Sequence, residues 1–279
     1  MNERLDAAQR AWAAERLPGA EVVADMSWNL VDTAVLHVRS GGQDFVVKAA
    51  GPDDTHLPRE MSAHPHFVAP LAATAQAARL LAADAVARII LLEYLPGTLV
   101  LGTEAERQAD TYRQAGELLS RLHRLETRTD AGYEARATAR ALSWLDQPHR
   151  VDAATAEHAR RILSTAPASA VTKVPTHGDW HPRNWLFDQG IVRAIDFGRF
   201  AFRPASTDLA RLAAQQWREH PELEAAFFEG YGPDPRDPDQ WRLDALREAV
   251  GTACWAYKVG DEAFENQGHR MLAEALAAF

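Results

Sequence analysis

Two stretches decide how this chain is read: His177-Gly178-Asp179-Trp180-His181-Pro182-Arg183-Asn184 and, after a short interval, Ile195-Asp196-Phe197-Gly198-Arg199. Asp179 and Asn184 stand five residues apart, and Asp196 follows Asn184 after twelve more. Three oxygen-bearing side chains so spaced suit phosphoryl transfer. One carboxylate receives the proton of a hydroxyl, while an amide oxygen and a second carboxylate hold magnesium against nucleotide phosphates. The interval explains how they meet. Trp185-Leu186-Phe187 and Ile191-Val192-Arg193-Ala194-Ile195 read as short apolar strands, and Asp188-Gln189-Gly190 as a compact turn with glycine available for positive φ. Asn184 enters this hairpin and Asp196 leaves it, so both side chains come to one end. Two oxygen ligands at one open point suit a cation that keeps some waters and completes its shell from phosphate.

Blander readings exist for the parts. An Asp-Phe-Gly triplet alone is often a turn, and His-x-Asp-x-His is also a zinc-hydrolase ligand pattern. Neither calls for the whole set. Protein kinases use the same spacing but open it with His-Arg-Asp. This chain opens with His-Gly-Asp and places His181 two residues after the Asp. In that detail it resembles the aminoglycoside phosphotransferase family of small-molecule kinases. The resemblance covers nearly the full length and is most specific over residues 177–198. It includes Glu93-Tyr94-Leu95-Pro96-Gly97, the Gly116-Glu117-Leu118-Leu119-Ser120-Arg121-Leu122-His123 pattern and Asp208-Leu209-Ala210.

Upstream, Phe45-Val46-Val47-Lys48 is a strand ending in a lysine suited to nucleotide phosphates. Glu60 is its natural partner on a short helix opened by Pro58 and expected to end at Pro65; a surface glutamate is the alternative. No glycine occurs between Gly19 and Gly41. The place of a glycine-rich phosphate loop is taken by Met26-Ser27-Trp28-Asn29-Leu30-Val31-Asp32-Thr33, where Ser27, Asn29 and Thr33 offer hydrogen bonds to phosphate or simply form a hairpin turn. Arg88-Ile89-Ile90-Leu91-Leu92 is a strand buried on both faces, and the Pro-Gly turn after it reads as a hinge. An adenine would lie on the backbone from Glu93 to Leu95.

Of the 279 residues, 47% are hydrophobic and 25% charged, as in a well-packed enzyme. No segment reads as a signal peptide or membrane span, and the single Cys254 sits in an apolar helical context. A cytoplasmic protein, monomer or weak dimer, is expected. The net charge of −9 argues against nucleic acid. From Glu219 to Glu274 there are thirteen Asp and Glu against five Arg and Lys. This balance favours a cationic acceptor, or marks solvated helix faces. Apolar periodicity predicts helices over residues 104–126, 134–146, 153–165, 207–230, 238–259 and 261–278. Asp208 is placed at a helix start, where it can cap N–H groups. The gap from Asp196 to Asp208 is too short for a phosphorylatable activation loop, so a protein substrate is not expected.

The resemblance implies an α+β, bilobal protein-kinase-like fold. Residues 1–95 would form an N-lobe with a small antiparallel sheet and one helix, and residues 96–279 a mostly helical C-lobe. It implies γ-phosphoryl transfer from ATP or GTP, with Mg2+, to a hydroxyl of a small molecule such as an aminoglycoside-like cationic antibiotic. The alternatives are another small alcohol (macrolide, choline-like, nucleoside or sugar), or a non-catalytic nucleotide-binding module. Asp179 would take the proton and His181 order the loop; Asn184 and Asp196 would hold the metal; Lys48, Glu60, Ser27, Glu93 and Leu95 would serve the nucleotide. His177 and Asp208 would support the loop. Asp261, Glu262, Trp255 and Tyr257 are candidate acceptor contacts, with Trp217 and Trp241 as further aromatics that equally suit a core.

Overall fold

The computed structural model describes residues 3–27 and 33–279. The elements run α1 (Ala7–Arg16), β1 (Glu21–Asp25), β2 (Thr33–Ser40), β3 (Gln43–Ala50), α2 (His56–Ala63), α3 (Ala69–Ala72), β4 (Leu80–Asp84), β5 (Ile89–Glu93), β6 (Thr98–Leu99), α4 (Ala109–His123), β7 (Arg128–Asp130), α5 (Tyr133–Leu145), α6 (Ala153–Thr165), β8 (Val171–Thr176), β9 (Trp185–Asp188), β10 (Ile191–Ala194), β11 (Ala201–Arg203), α7 (Ala210–Ala214), α8 (Gln216–Glu219), α9 (Pro221–Tyr231), α10 (Pro238–Val259) and α11 (Glu262–Leu276). The class is α+β, with an antiparallel sheet towards the N-terminus and helices after it. The chain divides into two compact units: residues 1–125, 175–201 and 220–233 form the first, and residues 126–174, 202–219 and 234–279 the second.

In the first unit a five-stranded sheet has the order β1-β2-β3-β5-β4, and its described pairings are antiparallel. Strand β5 is buried on both faces, as its unbroken apolar run demands. Ile89 and Leu91 join Leu36, Val38 and Val47 in one cluster, closed by Trp12, Ala13 and Leu17 from and beside α1. Ile90 and Leu92 pack on the opposite side with Leu57 and Met61 of α2. Helix α1 is not among the sequence expectations, although Asp6 and Gln9 carry its start signal. Each side chain accepts the other's backbone N–H in a capping box.

Two helical expectations are corrected in the first unit. The α2 segment does not stop at Pro65. It passes into a π-helical turn, His64–Val68, and on to α3, with Pro65 near the start of the turn where its missing N–H is tolerated. The run over residues 104–126 begins as a separate 3-10 turn, Glu104–Arg107, before α4. Helices α4 and α9 approach so closely that a β-carbon on Gly116 would lie 2.1 Å from the Phe227 carbonyl oxygen, and one on Gly230 1.9 Å from that of Arg113. The contact is locked by Ser120 Oγ donating to Tyr231 O at 2.7 Å and by His123 Nδ1 at 2.9 Å from the Tyr231 hydroxyl.

In the second unit, α5, α6, α10 and α11 share a core of Ala141, Leu145, Leu163, Leu246, Val250 and Leu272. Cys254 lies within it, and burial pushes its thiol up to about 11 against a smaller opposing pull from Arg160. The single helix expected over residues 207–230 is instead the 3-10 turn Ala205–Leu209 followed by α7, α8 and, in the first unit, α9. It breaks at Gln215 (φ −121°, ψ −91°) and again before Pro221. Among the described residues no helix is long and apolar enough to cross a membrane.

Candidate active site

Every residue of the two deciding stretches lies in the first unit. Strand β8 delivers the chain to His177, the turn Pro182–Asn184 follows, and the β9–β10 hairpin returns it to Asp196. The hairpin pairs Ala194 with Trp185, and its turn places both Gln189 (φ 48°) and Gly190 (φ 82°) in the left-handed region. Ile195 N donates to Asn184 O at 3.0 Å, so Asn184 and Asp196 emerge together at one end.

Hydrogen bonds bind these groups into one piece. The Asn184 Nδ2 donates to Asp179 O at 2.8 Å, leaving the amide oxygen as the atom suited to a cation. His177, fully buried, accepts from Asp179 N through Nδ1 at 3.3 Å. Its proton therefore belongs on Nε2, which donates to Ile195 O at 2.9 Å. The imidazole thus ties the backbone at Asp179 to the residue before Asp196, with Phe197 4.7 Å from it, centroid to centroid. His181 is buried, its Nε2 3.5 Å from Asp179 Oδ1, and its carbonyl accepts from Asn184 N at 2.8 Å.

On the sheet side, Lys48 on β3 donates to both oxygens of Glu60 on α2, at 2.8 and 2.9 Å, and its Nζ stands 3.4 Å from Asp196 Oδ1. Burial opposes charge on both partners, yet the pair stays ionised. Glu60 and Asp196 hold the lysine above its ordinary 10.5, and the Lys48 charge, helped by His64, brings Glu60 down to about 2. Asp196 adopts φ 65°, ψ 70°, and its side chain is 54% exposed. The next glycine is closely surrounded: a β-carbon on Gly198 would sit 3.1 Å from His56 Cβ and 3.3 Å from Asp196 Oδ1, so a neighbour would have to give by a few tenths of an ångström.

The profile of the phosphotransferase enzyme family matches residues 30–243. The chain belongs to that family. Among curated protein sequences none matches this phosphotransferase. Solved structures share its fold at low identity. A thermostable mutant of aminoglycoside phosphotransferase APH(4)-Ia, in ternary complex with ADP and hygromycin B, is 14% identical over 96% of this chain and 97% of its own, with a TM-score of 0.72. Choline kinase LicA from Streptococcus pneumoniae is 15% identical over 97% and 98%, at 0.66. Macrolide 2'-phosphotransferase MphH from Brachybacterium faecium is 18% identical over 94% and 96%, at 0.63.

The other expected site residues of the phosphotransferase fall as follows. Ser27 Oγ accepts the backbone N–H of Val35 at 2.9 Å, so this hydroxyl helps seat β2; Asn29 lies outside the described residues. Glu93 ends β5 with Arg79 Nε 3.7 Å from its carboxylate, Leu95 is buried, and Tyr94 between them stacks on His37 at 4.2 Å. Arg193 of β10 donates to Pro96 O at 3.3 Å and to Ala75 O at 3.0 Å, bracing the segment after β5. Asp208 is buried in the 3-10 turn Ala205–Leu209, which shows no side-chain cap. It stands one residue before Leu209, the N-cap of α7.

Asp208 and the acceptor candidates belong to the second unit. Asp261 caps α11 by accepting from Phe264 N at 3.0 Å, Glu262 is exposed on its first turn, and Trp255 packs edge-on to Phe264. Tyr257 lies under the Arg150 guanidinium at 5.1 Å, and Arg236 stands over both Trp217 and Trp241. Sequence reasoning missed Arg183 and Arg199, which flank Asp179. Arg183 Nη2 is 3.5 Å, and Arg199 Nε 4.0 Å, from Asp179 Oδ2. Both stand inside the quoted motifs, and that position was the available signal.

Proposed function

We propose that this phosphotransferase moves the γ-phosphoryl group of ATP or GTP to a hydroxyl of a small molecule. The observation that carries the reading is the hydrogen-bonded unit joining Asp179, Asn184 and the backbone before Asp196, with Lys48 bridging Glu60 and Asp196. Asp179 accepts the proton of the acceptor hydroxyl as its oxygen bonds to phosphorus and the bond to the leaving nucleoside diphosphate breaks. Lys48, held extended by Glu60, offsets phosphate charge. The amide oxygen of Asn184 and the carboxylate of Asp196 are a hard oxygen pair at one hairpin end, a donor set that fits Mg2+. Magnesium held by these two residues would supply charge neutralisation to the nucleotide phosphates. Residues 1–95 would serve chiefly the nucleotide and residues 96–279 the acceptor.

For the acceptor, the acidic balance from Glu219 to Glu274 supports a cationic compound of the aminoglycoside class. Structures of aminoglycoside, macrolide and choline kinases share the fold, so the panel of acceptors spans all three. The test is phosphate transfer from ATP and GTP with magnesium to aminoglycosides, macrolides, amino alcohols, nucleosides and sugars, with Asp179→Asn beside the wild type. Product from the wild type and at least a hundredfold less from the variant is the expected result, on the order of the usual share of a positioned base. Nucleotide binding with no transfer to any acceptor would favour the binding-module reading.

A further inference from the structure

We infer that Arg183 and Arg199 form a two-guanidinium clamp on the phosphoryl group in transit. The inference rests on the phosphotransferase reading above and adds two catalytic residues to it. The two arginines come from separate turns, Pro182–Asn184 and Phe197–Arg199, yet converge on the same oxygen, Asp179 Oδ2. Their side chains are 34% and 42% exposed beside a carboxylate that is 7% exposed. The separations of 3.5 and 4.0 Å exceed the roughly 2.7–2.9 Å of a closed charge-assisted hydrogen bond. Half-exposed arginines at such distances add little stability as ion pairs. Two guanidiniums converging beside one carboxylate oxygen also invite a functional account.

Chemistry supplies one. A hydroxyl that gives its proton to Asp179 lies within about 3 Å of a carboxylate oxygen. The phosphorus that bonds to that hydroxyl oxygen must then come within side-chain reach of both guanidiniums. Charge in the loose transition state is spread over three equatorial phosphoryl oxygens, which suits planar forks of N–H donors better than a point charge. Lys48, 3.4 Å from Asp196, serves the nucleotide end; Arg183 and Arg199 serve the acceptor end. As the bond from phosphorus to the leaving oxygen breaks with its electron pair and the new oxygen–phosphorus bond forms, the phosphoryl charge moves towards the arginines.

The test uses Arg183→Gln, Arg199→Gln, the double variant and both Lys variants, read by thermal shift and calorimetry. The probes are Mg·ADP alone and Mg·ADP with fluoroaluminate, a planar mimic of the phosphoryl group in transit. Wild type is expected to gain affinity when fluoroaluminate is added. Each Gln variant should keep Mg·ADP affinity within about threefold and lose about a hundredfold or more of the fluoroaluminate gain, in line with the removal of one donor to a developing charge. Lysine should restore part of it. No gain in the wild type, or an equal gain in the double variant, overturns the clamp while leaving the kinase reading intact. A wild type that binds no Mg·ADP overturns both. Retained Mg·ADP binding shows that each variant is folded, and the single variants and Lys forms decide the matter if the double variant is not.

Discussion

Asp196 pays for its position with a left-handed backbone, φ 65° and ψ 70°, a region where Asp and Asn are enriched among residues bearing a β-carbon. Asp196→Asn is therefore the informative substitution, since it removes the charge and keeps a residue that tolerates the turn. It should abolish the magnesium-dependent part of nucleotide affinity, measured by calorimetry with a non-hydrolysable ATP analogue with and without magnesium. The Lys48–Glu60 pair makes a second prediction. Breaking a buried pair from one side costs about 3–5 kcal/mol, so Glu60→Gln should lower the urea-unfolding free energy by about that much at neutral pH. Glu60 is depressed from 4.5 to about 2 by the lysine against the opposing effect of burial, so its stabilisation is complete above pH 4.5 and is lost as pH falls through about 2. The gap between wild type and variant should stay level from pH 5 to 8 and narrow below pH 4.5. The sequence shows Asp179, Asn184, Asp196 and Lys48 as a set because the chemistry restricts their types and spacing. It did not show what Ser27 does, because its hydroxyl is claimed by Val35 N, eight residues on in the neighbouring strand. Arg199 was equally silent, since its nearness to Asp179 depends on the path of the whole hairpin.

At the scale of elements, apolar period located α5, α6 and α10 well, because each has one stripe against one core. It failed where helices break without losing their pattern. The run over residues 207–230 keeps its apolar steps across Gln215 and Pro221, yet the backbone turns at both. Pro221 was the legible sign of the second break. The glycines of α4 and α9 were legible only as small residues; their reason is a backbone approach between segments more than a hundred residues apart. Gly230→Ala would drive a methyl group to 1.9 Å from the Arg113 carbonyl oxygen, so the helices must separate. A loss of about 2–3 kcal/mol is expected from such overpacking. It is measurable as a lower urea midpoint with an unchanged slope, and an unaltered midpoint would show that the crossing yields freely.

Over the whole molecule, the order of an antiparallel sheet before helices came from the family resemblance, with the strands read at residues 45–48 and 88–92 and the helical apolar stripes beside it. The assembly of the first unit from three separated segments lies beyond any local pattern. The second unit holds a charge conflict of the same kind. Glu134 Oε2 and Asp244 Oδ1 share the Arg247 guanidinium, at 2.6 and 3.0 Å. Burial, reinforced by Glu134 and only partly offset by Arg247, pushes Asp244 up to about 6 from 3.8. Between those values the folded chain binds more protons than the unfolded one at this site, so this contribution to stability falls as pH rises. Asp244→Asn should remove that fall. Its melting temperature relative to wild type should climb from pH 4 to pH 7, and a flat difference across that range would contradict the assignment. Cys254 has a practical consequence of another sort. As the chain's one thiol, walled into the second unit's core and held largely protonated at neutral pH, it gives maleimide reagents no ready target. A cysteine introduced at exposed Val86 would be the one reactive label in the molecule, so fluorescent or spin probes can be attached at chosen points without first deleting a native residue.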